Sequence, residues 1–324
     1  MVNMVEIEDL SVSFIGNDRV VRAVDGVTLA LEQGEVLALL GESGSGKSVT
    51  LRSLLRLHPE HRSQMSGRIH VDGQDILSLS KDALSAFRGS TVSMIFQEPM
   101  LALDPVYTLG QQIIEAIRRH SGVSELEARQ QALALFERVH IPSPERRLDA
   151  YPHEMSGGMR QRAMIALALS CRPKVLLADE PTTALDATVQ IQILLLLREL
   201  QREFGLSVIF VTHDIGVAVE IADRIAVMYA GRIVEIGTVE HVLNDARHPY
   251  TRGLLGSRVE RIAKGERLST IPGAPPDLAN LPPGCAFAPR CAMAEARCLE
   301  KAPTLIAVNP DHAAACHLTC EQVS

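Results

Sequence analysis

The sequence has no uninterrupted apolar run of the about 18 residues that a membrane-spanning helix needs, although 46% of its 324 residues are hydrophobic. Its N-terminus contains neither a basic patch nor an apolar core, so no secretory signal is predicted. A basic excess is also missing, because the net charge is -7, and this argues against a broad nucleic-acid interface. We therefore expect a soluble, cytoplasmic protein with no nucleic acid among its partners.

A glycine-rich segment at residues 41–48 has the sequence Gly-Glu-Ser-Gly-Ser-Gly-Lys-Ser, which fits the phosphate-binding pattern G-x-x-x-x-G-K-[ST]. A buried strand is predicted before it at residues 36–40, and apolar residues at helical spacing follow at 49–57, as the pattern requires. Backbone N–H groups of such a loop surround phosphate oxygens, while Lys47 supplies a cation and the Ser48 hydroxyl a Mg²⁺ ligand. The predicted nucleoside triphosphate site comprises Gly41, Ser43, Gly44, Ser45, Gly46, Lys47 and Ser48.

Polar residues follow three further apolar segments, at 92–96, 174–178 and 207–211, which are predicted as strands. In open α/β sheets ligands bind beyond the carboxyl ends of strands, so the residues at these ends are expected around one nucleotide. These residues are Gln97, Asp179, Glu180 and His213. The adjacent carboxylates suit metal-assisted phosphoryl transfer, with Asp179 holding Mg²⁺ through water and Glu180 polarising the attacking water.

The rest of the chain divides by pattern. Residues 5–14 and 21–31 alternate apolar and polar side chains, which predicts an N-terminal antiparallel β-layer. Residues 98–168 carry helical patterns broken by prolines and are predicted as a helical insertion. Apolar runs on both sides of Ala230-Gly231 predict a hairpin, and from about residue 257 prolines, glycines and most of the cysteines mark a separate tail.

The segment Met155-Ser156-Gly157-Gly158-Met159 precedes an apolar helix and the strand that ends at Asp179. It resembles the signature loop of the ATP-binding subunits of ABC transporters, with methionines in place of the usual flanking leucine and glutamine. The resemblance covers nearly the whole chain. In its terms Gln97 is similar to the Q-loop glutamine, Ala184-Leu185-Asp186 to the D-loop, and His213 to the switch histidine that senses the γ-phosphate.

The resemblance implies a fold and a set of roles. The fold is α/β, a P-loop NTPase of ABC type with the N-terminal antiparallel β-layer, the helical insertion and a small C-terminal extension. The implied catalytic residues are Lys47, Gln97, Glu180 and His213, the Mg²⁺ ligands are Ser48, Gln97 and Asp179, and Ser156, Gly157, Gly158 and Asp186 complete the ATP site. Phe14 resembles the aromatic residue that stacks on adenine, but an aromatic at a strand end is also a common core residue.

The resemblance also implies partners. A phosphate loop and a signature loop of one chain serve different nucleotides, so two ATPase chains enclose two ATP molecules head to tail. The second chain is either an identical copy or a related ATPase, and we expect a related, heterologous one. We also expect two transmembrane permease subunits and, indirectly, a periplasmic or extracellular solute-binding protein. The expected location is peripheral, on the cytoplasmic face of the inner membrane, with residues 98–108 contributing to the permease contact.

The C-terminal tail indicates which group of ABC transporter ATPases the chain resembles. His248-Pro249-Tyr250-Thr251 and the segment from Pro283 to Cys291 resemble the C-terminal extension of ATPases in oligopeptide and dipeptide importers. The domains implied are an ATP-binding domain at residues 1–256 and the extension at 257–324. Peptides are the leading solute, and relatives with this tail also import nickel, opines, glutathione or oligosaccharides.

Four cysteines of the tail, Cys285, Cys291, Cys298 and Cys316, lack the paired C-x-x-C spacing of common zinc ribbons, so spacing alone is ambiguous. Dipeptide-importer ATPases with this tail hold a [4Fe–4S] cluster on four such cysteines, and the resemblance favours that cofactor over zinc or free thiols. Cys320 is a competing ligand, and Cys171 is predicted as a small core residue.

Two other classes of function stay open from the sequence. One is a soluble ABC-type ATPase acting in DNA repair or on ribosomes, which the absence of a long coiled coil and of a second ATPase domain disfavours. The other is a non-enzymatic nucleotide-binding switch, which Glu180 disfavours.

Overall fold

A computed structural model describes residues 2–16, 18–183, 185–256 and 271–318. The chain divides into two compact units. The first unit comprises Met1–Met4, Leu31–Glu35 and Asp72–Phe210, and the second comprises Val5–Ala30, Val36–Val71 and Val211–Ser324.

The strands are β1 (Asn3–Ile15), β2 (Val20–Glu32), β3 (Val36–Leu40), β4 (Ser63–Val71), β5 (Gln74–Asp75), β6 (Val92–Ile95), β7 (Val175–Asp179), β8 (Ser207–Thr212), β9 (Arg224–Tyr229), β10 (Arg232–Thr238), β11 (Ile306–Asn309) and β12 (His312–Ala314). The helices are α1 (Lys47–Leu54), α2 (Lys81–Ser90), α3 (Pro99–Ala102), α4 (Leu109–Ser121), α5 (Glu125–Arg138), α6 (Pro144–Leu148), α7 (Gly157–Leu169), α8 (Ala187–Phe204), α9 (Ile215–Ile221), α10 (Val239–Asn244), α11 (Pro249–Gly256) and α12 (Ala296–Glu300).

The first unit is built on parallel strands covered by helices. β6 pairs in parallel with β7, with Ile95 opposite Ala178, and every residue of β7 is buried. Helices α3 to α7 occupy the segment between these two strands. Capping boxes at Thr108 and Ser124 fix the starts of α4 and α5 by satisfying their first backbone N–H groups. The helical insertion predicted from the broken periodicity is therefore present.

The second unit contains the strand that precedes the phosphate-binding pattern. β3 is buried along its whole length and pairs in parallel with β9. β9 and β10 form the predicted hairpin, in which Ala230 and Gly231 both have positive φ, as a tight two-residue turn requires. β1 pairs antiparallel with β4 and neighbours β2, which gives the predicted N-terminal β-layer.

The C-terminal segment adds to the same unit. β12 pairs antiparallel with β10, and β11 pairs with β12, so the order of strands in this unit is β11-β12-β10-β9-β3. Phe287 lies in one hydrophobic cluster with Leu40 of β3, Tyr229 of β9 and Tyr250 of α11. Residues of the extension thus share a core with the strand that leads into the phosphate loop.

The mixed α/β fold with its β-layer, helical insertion and extension is confirmed. The predicted domain boundary at 256/257 falls at the start of a segment outside the described residues, and it stays a prediction. In the part of the chain that the structure describes, no helix has both the length and the apolar character needed to cross a membrane.

Candidate functional site

The phosphate loop connects β3 to α1 in the second unit, and two of its glycines are required by close backbone contacts. A Cβ at Gly41 would lie 2.2 Å from the carbonyl oxygen of Met228. Gly46, the N-cap of α1, has a φ of 104°, and a Cβ there would lie 2.5 Å from the carbonyl oxygen of Ala23. Only glycine fits at these two positions, so the sequence pattern has a direct steric cause.

Lys47 is buried at the start of α1, and its side chain folds back over the loop. Its Nζ donates to the carbonyl oxygens of Gly41, at 2.7 Å, and Glu42, at 2.9 Å. The Ser45 carbonyl accepts from the N–H of Gly231 at 2.9 Å, which ties the loop to the β9–β10 turn. Ser43 and Gly44 are exposed, and the half-buried Ser48 follows Lys47. The loop therefore has the form of an anion site at a helix N-terminus.

Phe14 lies near the end of β1, and its ring packs edge-on against His58 with 5.4 Å between ring centroids. His58 Nε2 lies 3.1 Å from Ser53 Oγ and 3.0 Å from the Val49 carbonyl oxygen. Burial lowers the pKa of His58 below its ordinary value, so a neutral imidazole is favoured beside the aromatic ring. The ring of Phe14 is half-buried, which leaves its stacking role a prediction.

His213 follows β8 directly and is exposed. The turn that carries it is fixed on its C-terminal side, because the N–H of Asp214 donates to Thr212 Oγ1 at 3.0 Å and Asp214 caps α9 through the N–H of Gly216 at 2.7 Å. An exposed histidine on a constrained turn has the access that a ligand-sensing role needs.

In the first unit, Asp179 and Glu180 lie at the carboxyl end of β7. Asp179 is fully buried, whereas Glu180 is half-buried and has a φ of 45°. A left-handed conformation at a residue other than glycine costs on the order of 1–3 kcal/mol and is typical of functional sites. Thr183 Oγ1 donates to Glu180 Oε2 at 2.8 Å and fixes the carboxylate.

Gln97 belongs to the same edge of this unit. It follows β6 by two residues and is exposed, and the parallel register of β6 with β7 aligns the carboxyl ends of the two strands. The prediction that polar residues gather at these strand ends is therefore met for Gln97, Asp179 and Glu180.

The segment that resembles a signature loop forms the start of α7. Ser156 is its N-cap, and its Oγ accepts from the N–H of Met159 at 3.3 Å. Ser156 and Gly157 are exposed, while Met155 is buried. A Cβ at Gly158 would lie 2.9 Å from Val189 Cγ1, so this glycine allows α7 and α8 to approach each other closely.

Asp186 caps α8, with its Oδ1 accepting from the N–H of Val189 at 3.0 Å. Ala184, which belongs to the predicted D-loop, lies outside the described residues. The side chain of Asp186 thus has a structural role as a helix cap, and its role toward a nucleotide stays a prediction.

The four predicted cluster ligands are brought together in the second unit. Cys285, Cys291, Cys298 and Cys316 line one cavity, which His248 and His317 also line. Gly284 makes this possible, since a Cβ there would lie 2.2 Å from the Cys298 carbonyl oxygen, which accepts from the N–H of Cys285 at 2.7 Å. Burial raises the pKa of the Cys285 and Cys291 thiols.

The donor set of four thiols suits a thiolate-ligated group, because thiolates are the usual ligands of iron–sulfur clusters and zinc. Within the described ranges, however, no three or more His, Cys, Asp or Glu side chains are arranged to hold a metal ion. Cys320 lies outside those ranges. Cys171, predicted as a core residue, is half-buried, and its thiol donates to the Ala116 carbonyl oxygen at 3.5 Å.

A buried polar cluster anchors the extension to β10. Glu235 is fully buried and accepts from the N–H groups of Arg247, at 2.7 Å, and His248, at 2.9 Å, and its Oε1 lies 2.7 Å from His312 Nε2. Burial alone would raise the pKa of Glu235, but the hydrogen bonds from neighbouring groups, of which the one from His312 has the largest effect, outweigh burial and hold the pKa below its ordinary value. Burial also lowers the pKa of His248 to about 4, and its Nδ1 accepts from the Tyr250 N–H at 3.1 Å.

The contacts between the phosphate loop and the C-terminal part of the chain were not predicted from the sequence. Arg290 Nη1 and Nη2 donate to Glu42 Oε2 and Oε1 at 2.7 and 3.1 Å, and the Glu42 N–H donates to Tyr250 Oη at 2.8 Å. The one available signal is that Glu42 is the only acidic residue of the loop. A carboxylate beside a phosphate site calls for a compensating cation.

Known proteins resemble this chain along its whole length. The family described as "ABC transporter" matches residues 24–183, and the family described as "Oligopeptide/dipeptide transporter, C-terminal region" matches residues 234–298. A Brucella abortus protein named "Putative peptide import ATP-binding protein" is 49% identical over 97% of this chain and 96% of its own length. A Sinorhizobium fredii protein named "Probable peptide ABC transporter ATP-binding protein" is 48% identical over 99% of this chain and 96% of its own.

Solved structures agree. The ATP-binding cassette MJ0796, a dimer in a post-hydrolysis state bound to ADP and Pi, has a TM-score of 0.66 and 29% identity, covering 73% of this chain and 99% of its own. The cbiO1 protein of Clostridium perfringens, part of the ABC transporter complex cbiONQ, has a TM-score of 0.64 and 29% identity over 75% of this chain and 91% of its own. The predicted resemblance is confirmed: this chain belongs to the ATP-binding subunits of ABC transporters and is an ATPase.

Proposed function

We propose that this chain is the ATP-hydrolysing subunit of an ABC importer that powers the uptake of di- or oligopeptides across the cytoplasmic membrane. One observation carries the proposal: a sterically constrained phosphate loop with a buried Lys47 occurs in a chain that matches peptide-import relatives through its C-terminal region. Import of nickel, an opine, glutathione or an oligosaccharide is the alternative for the solute, and a non-transport ATPase is the more distant one.

The proposed chemistry assigns one task to each residue. Lys47 neutralises the outer phosphates, Ser48 and Asp179 hold Mg²⁺ with Gln97, and Glu180 polarises the attacking water. The constrained conformation of Glu180 and its hydrogen bond from Thr183 support this assignment, because both limit the positions of the carboxylate.

The remaining roles are sensing and closure. His213 senses the γ-phosphate, and the exposed N-terminus of α7, with Ser156, Gly157 and Gly158, binds the γ-phosphate held by the partner chain. Asp186 contributes to the same ATP site as the N-terminus of α7, and Phe14 stacks on adenine.

The subunit works as a dimer of cassettes attached to transmembrane permeases, as ATPases of peptide importers do. We propose that its partner is a related, heterologous ATPase and that the complex lies at the cytoplasmic face of the inner membrane, receiving solute from a binding protein outside. Exposed apolar side chains support a permease contact after Gln97, since Met100, Leu101, Val106 and Tyr107 are 42%, 83%, 70% and 53% exposed.

We further propose that Cys285, Cys291, Cys298 and Cys316 hold a [4Fe–4S] cluster. Their shared cavity and all-thiol donor set support it. When bound, such a cluster supplies either redox sensitivity or a covalent link between segments of the extension. Iron and sulfide analysis of anaerobically prepared protein tests the assignment, and iron-free, zinc-loaded protein would contradict it.

ATP hydrolysis by the assembled complex tests the catalytic assignment. Replacement of Glu180 by Gln keeps the size of the side chain and one acceptor oxygen but removes the charge that polarises water. We expect turnover to fall at least about a hundredfold while ATP binding persists. Glu199→Gln, which changes an exposed residue of α8 in the same unit, is the matched control, and unchanged turnover in Glu180→Gln would refute the role.

A further inference from the structure

Glu42, the second residue of the phosphate loop, is held through its side chain, its N–H and its carbonyl. The carboxylate forms a bidentate ion pair with Arg290 of the C-terminal extension. The N–H donates to the Tyr250 hydroxyl, and the carbonyl oxygen accepts from Lys47 Nζ. The orientation of the first turn of the loop is therefore set by residues about 210 and 250 positions later in the chain.

Arg290 is itself fixed in place. Its side chain is only 6% exposed, its Nε donates to the Pro272 carbonyl oxygen at 2.8 Å, and its Nη1 donates to the Tyr229 hydroxyl at 3.3 Å. The guanidinium carbon lies 5.8 Å from the centroid of the Tyr229 ring and 5.9 Å from that of Phe287. Because the Arg290 side chain is already held in place, its bidentate ion pair with the carboxylate costs little side-chain entropy to form, whereas an exposed ion pair must order two mobile side chains.

The pair also decides the charge beside the loop. An uncompensated carboxylate at Glu42 would repel a triphosphate bound by the loop amides, because like charges close together in a poorly screened site oppose each other. The hydrogen bonds from Arg290 to Glu42 raise the pKa of the guanidinium, so the cation persists at any physiological pH. Arg290 therefore both orients Glu42 and cancels its charge.

We propose that Arg290 is a positioning residue for ATP binding, which makes the C-terminal extension part of the nucleotide site of this chain. Without Arg290 the loop keeps its glycines and Lys47 but gains an unpaired negative charge and loses the restraint on Glu42. The inference rests on the proposed function in one respect, namely that the nucleotide binds to this loop.

The test measures ATP·Mg²⁺ affinity with a fluorescent ATP analogue and, in parallel, KM and kcat of the assembled complex. In Arg290→Met we expect the Kd and KM for ATP to rise roughly tenfold, with kcat at saturating ATP changed less than about threefold. Arg290→Lys keeps the charge without the two-pronged geometry and is expected to lie between wild type and Arg290→Met.

A second substitution distinguishes an electrostatic role of Arg290 toward Glu42 from a purely structural role in the fold. Adding Glu42→Gln to Arg290→Met removes the unpaired charge, so we expect the affinity to return to within about threefold of wild type. A purely structural role of Arg290 predicts no such rescue, because the packing around residue 290 stays disrupted in the double variant. Arg297→Met is the matched control, since Arg297 pairs with Glu295 in the same extension.

The outcomes distinguish the inference from the function on which it rests. If Lys47→Ala abolishes binding while both Arg290 variants bind ATP as wild type does, the role of Arg290 is overturned and the nucleotide site stands. If Lys47→Ala binds ATP normally, the nucleotide does not use this loop and both proposals fail. Failure of the double variant to regain affinity also contradicts the role assigned to charge.

Discussion

The anchor of the C-terminal extension on β10 can be tested by replacing Glu235 with Gln. The Glu235 carboxylate accepts hydrogen bonds from His312 Nε2 and from the N–H groups of Arg247 and His248. The glutamine keeps one acceptor oxygen, but its NH₂ group must face at least one of these three donors. Hydrogen bonds to a charged group are worth about 1.5–3 kcal/mol each, and breaking a buried charged network costs about 3–5 kcal/mol. We expect Glu235→Gln to lower the free energy of unfolding by about 3 kcal/mol.

The effect also depends on pH in a defined direction. Because the pKa of Glu235 in the folded chain lies below its ordinary value of 4.5, the unfolded chain binds the proton first as the pH falls. The stabilisation by Glu235 is thus complete above about pH 4.5 and is lost as the pH falls through the folded-state pKa. Glutamine has no such titration, so the stability difference between wild type and Glu235→Gln should shrink in acid.

Urea unfolding followed by tyrosine fluorescence is a suitable assay, because the chain has no tryptophan and two of its four tyrosines, Tyr229 and Tyr250, lie in the cluster that packs against the extension. The matched control is Glu295→Gln, which removes an exposed ion pair with Arg297 and should cost less than about 1 kcal/mol. Equal stability of the two variants at neutral pH would show that the buried contacts of Glu235 stabilise the chain no more than the exposed ion pair does.

Two glycine substitutions test close contacts elsewhere in the chain. Gly284→Ala places a methyl group against the Cys298 carbonyl oxygen, so we expect the cysteine cavity to open, with faster labelling of its thiols by a maleimide; labelling at the wild-type rate would contradict this steric role of Gly284. Gly158→Ala presses on Val189 and should lower the free energy of unfolding by roughly 1–3 kcal/mol, and adding Val189→Ala should restore most of the loss; no rescue would show that the packing of α7 on α8 is not the cause.

The phosphate loop and the polar strand ends were predictable because their causes are local in sequence. The apolar run of β3, the glycines that permit close backbone approach and the lysine after them all lie within thirteen residues, from Val36 to Ser48. Asp179 likewise follows a short, wholly apolar stretch. Such signals depend on burial and backbone geometry, which neighbouring residues largely decide.

Other features had no local signal. β4 carries mostly polar residues, with only Ile69 and Val71 fully buried, and Gly67 stands within its apolar series, so its alternation involves too few apolar side chains to predict a strand. β12 has three residues and owes its conformation to pairing with β10. The pairing of Glu42 with Arg290 joins residues 248 positions apart, and no periodicity or motif in the sequence specifies it.

Uptake of a labelled dipeptide into proteoliposomes tests most directly whether ATP bound at the phosphate loop powers transport. The vesicles contain the assembled complex with ATP enclosed and the solute-binding protein outside, and the complex carries either the wild-type chain or Lys47→Ala. We predict ATP-dependent accumulation with the wild-type chain and at least about a hundredfold less with Lys47→Ala. Accumulation at the wild-type rate with Lys47→Ala, while the complex is intact, would contradict the claim that ATP bound at this phosphate loop powers transport.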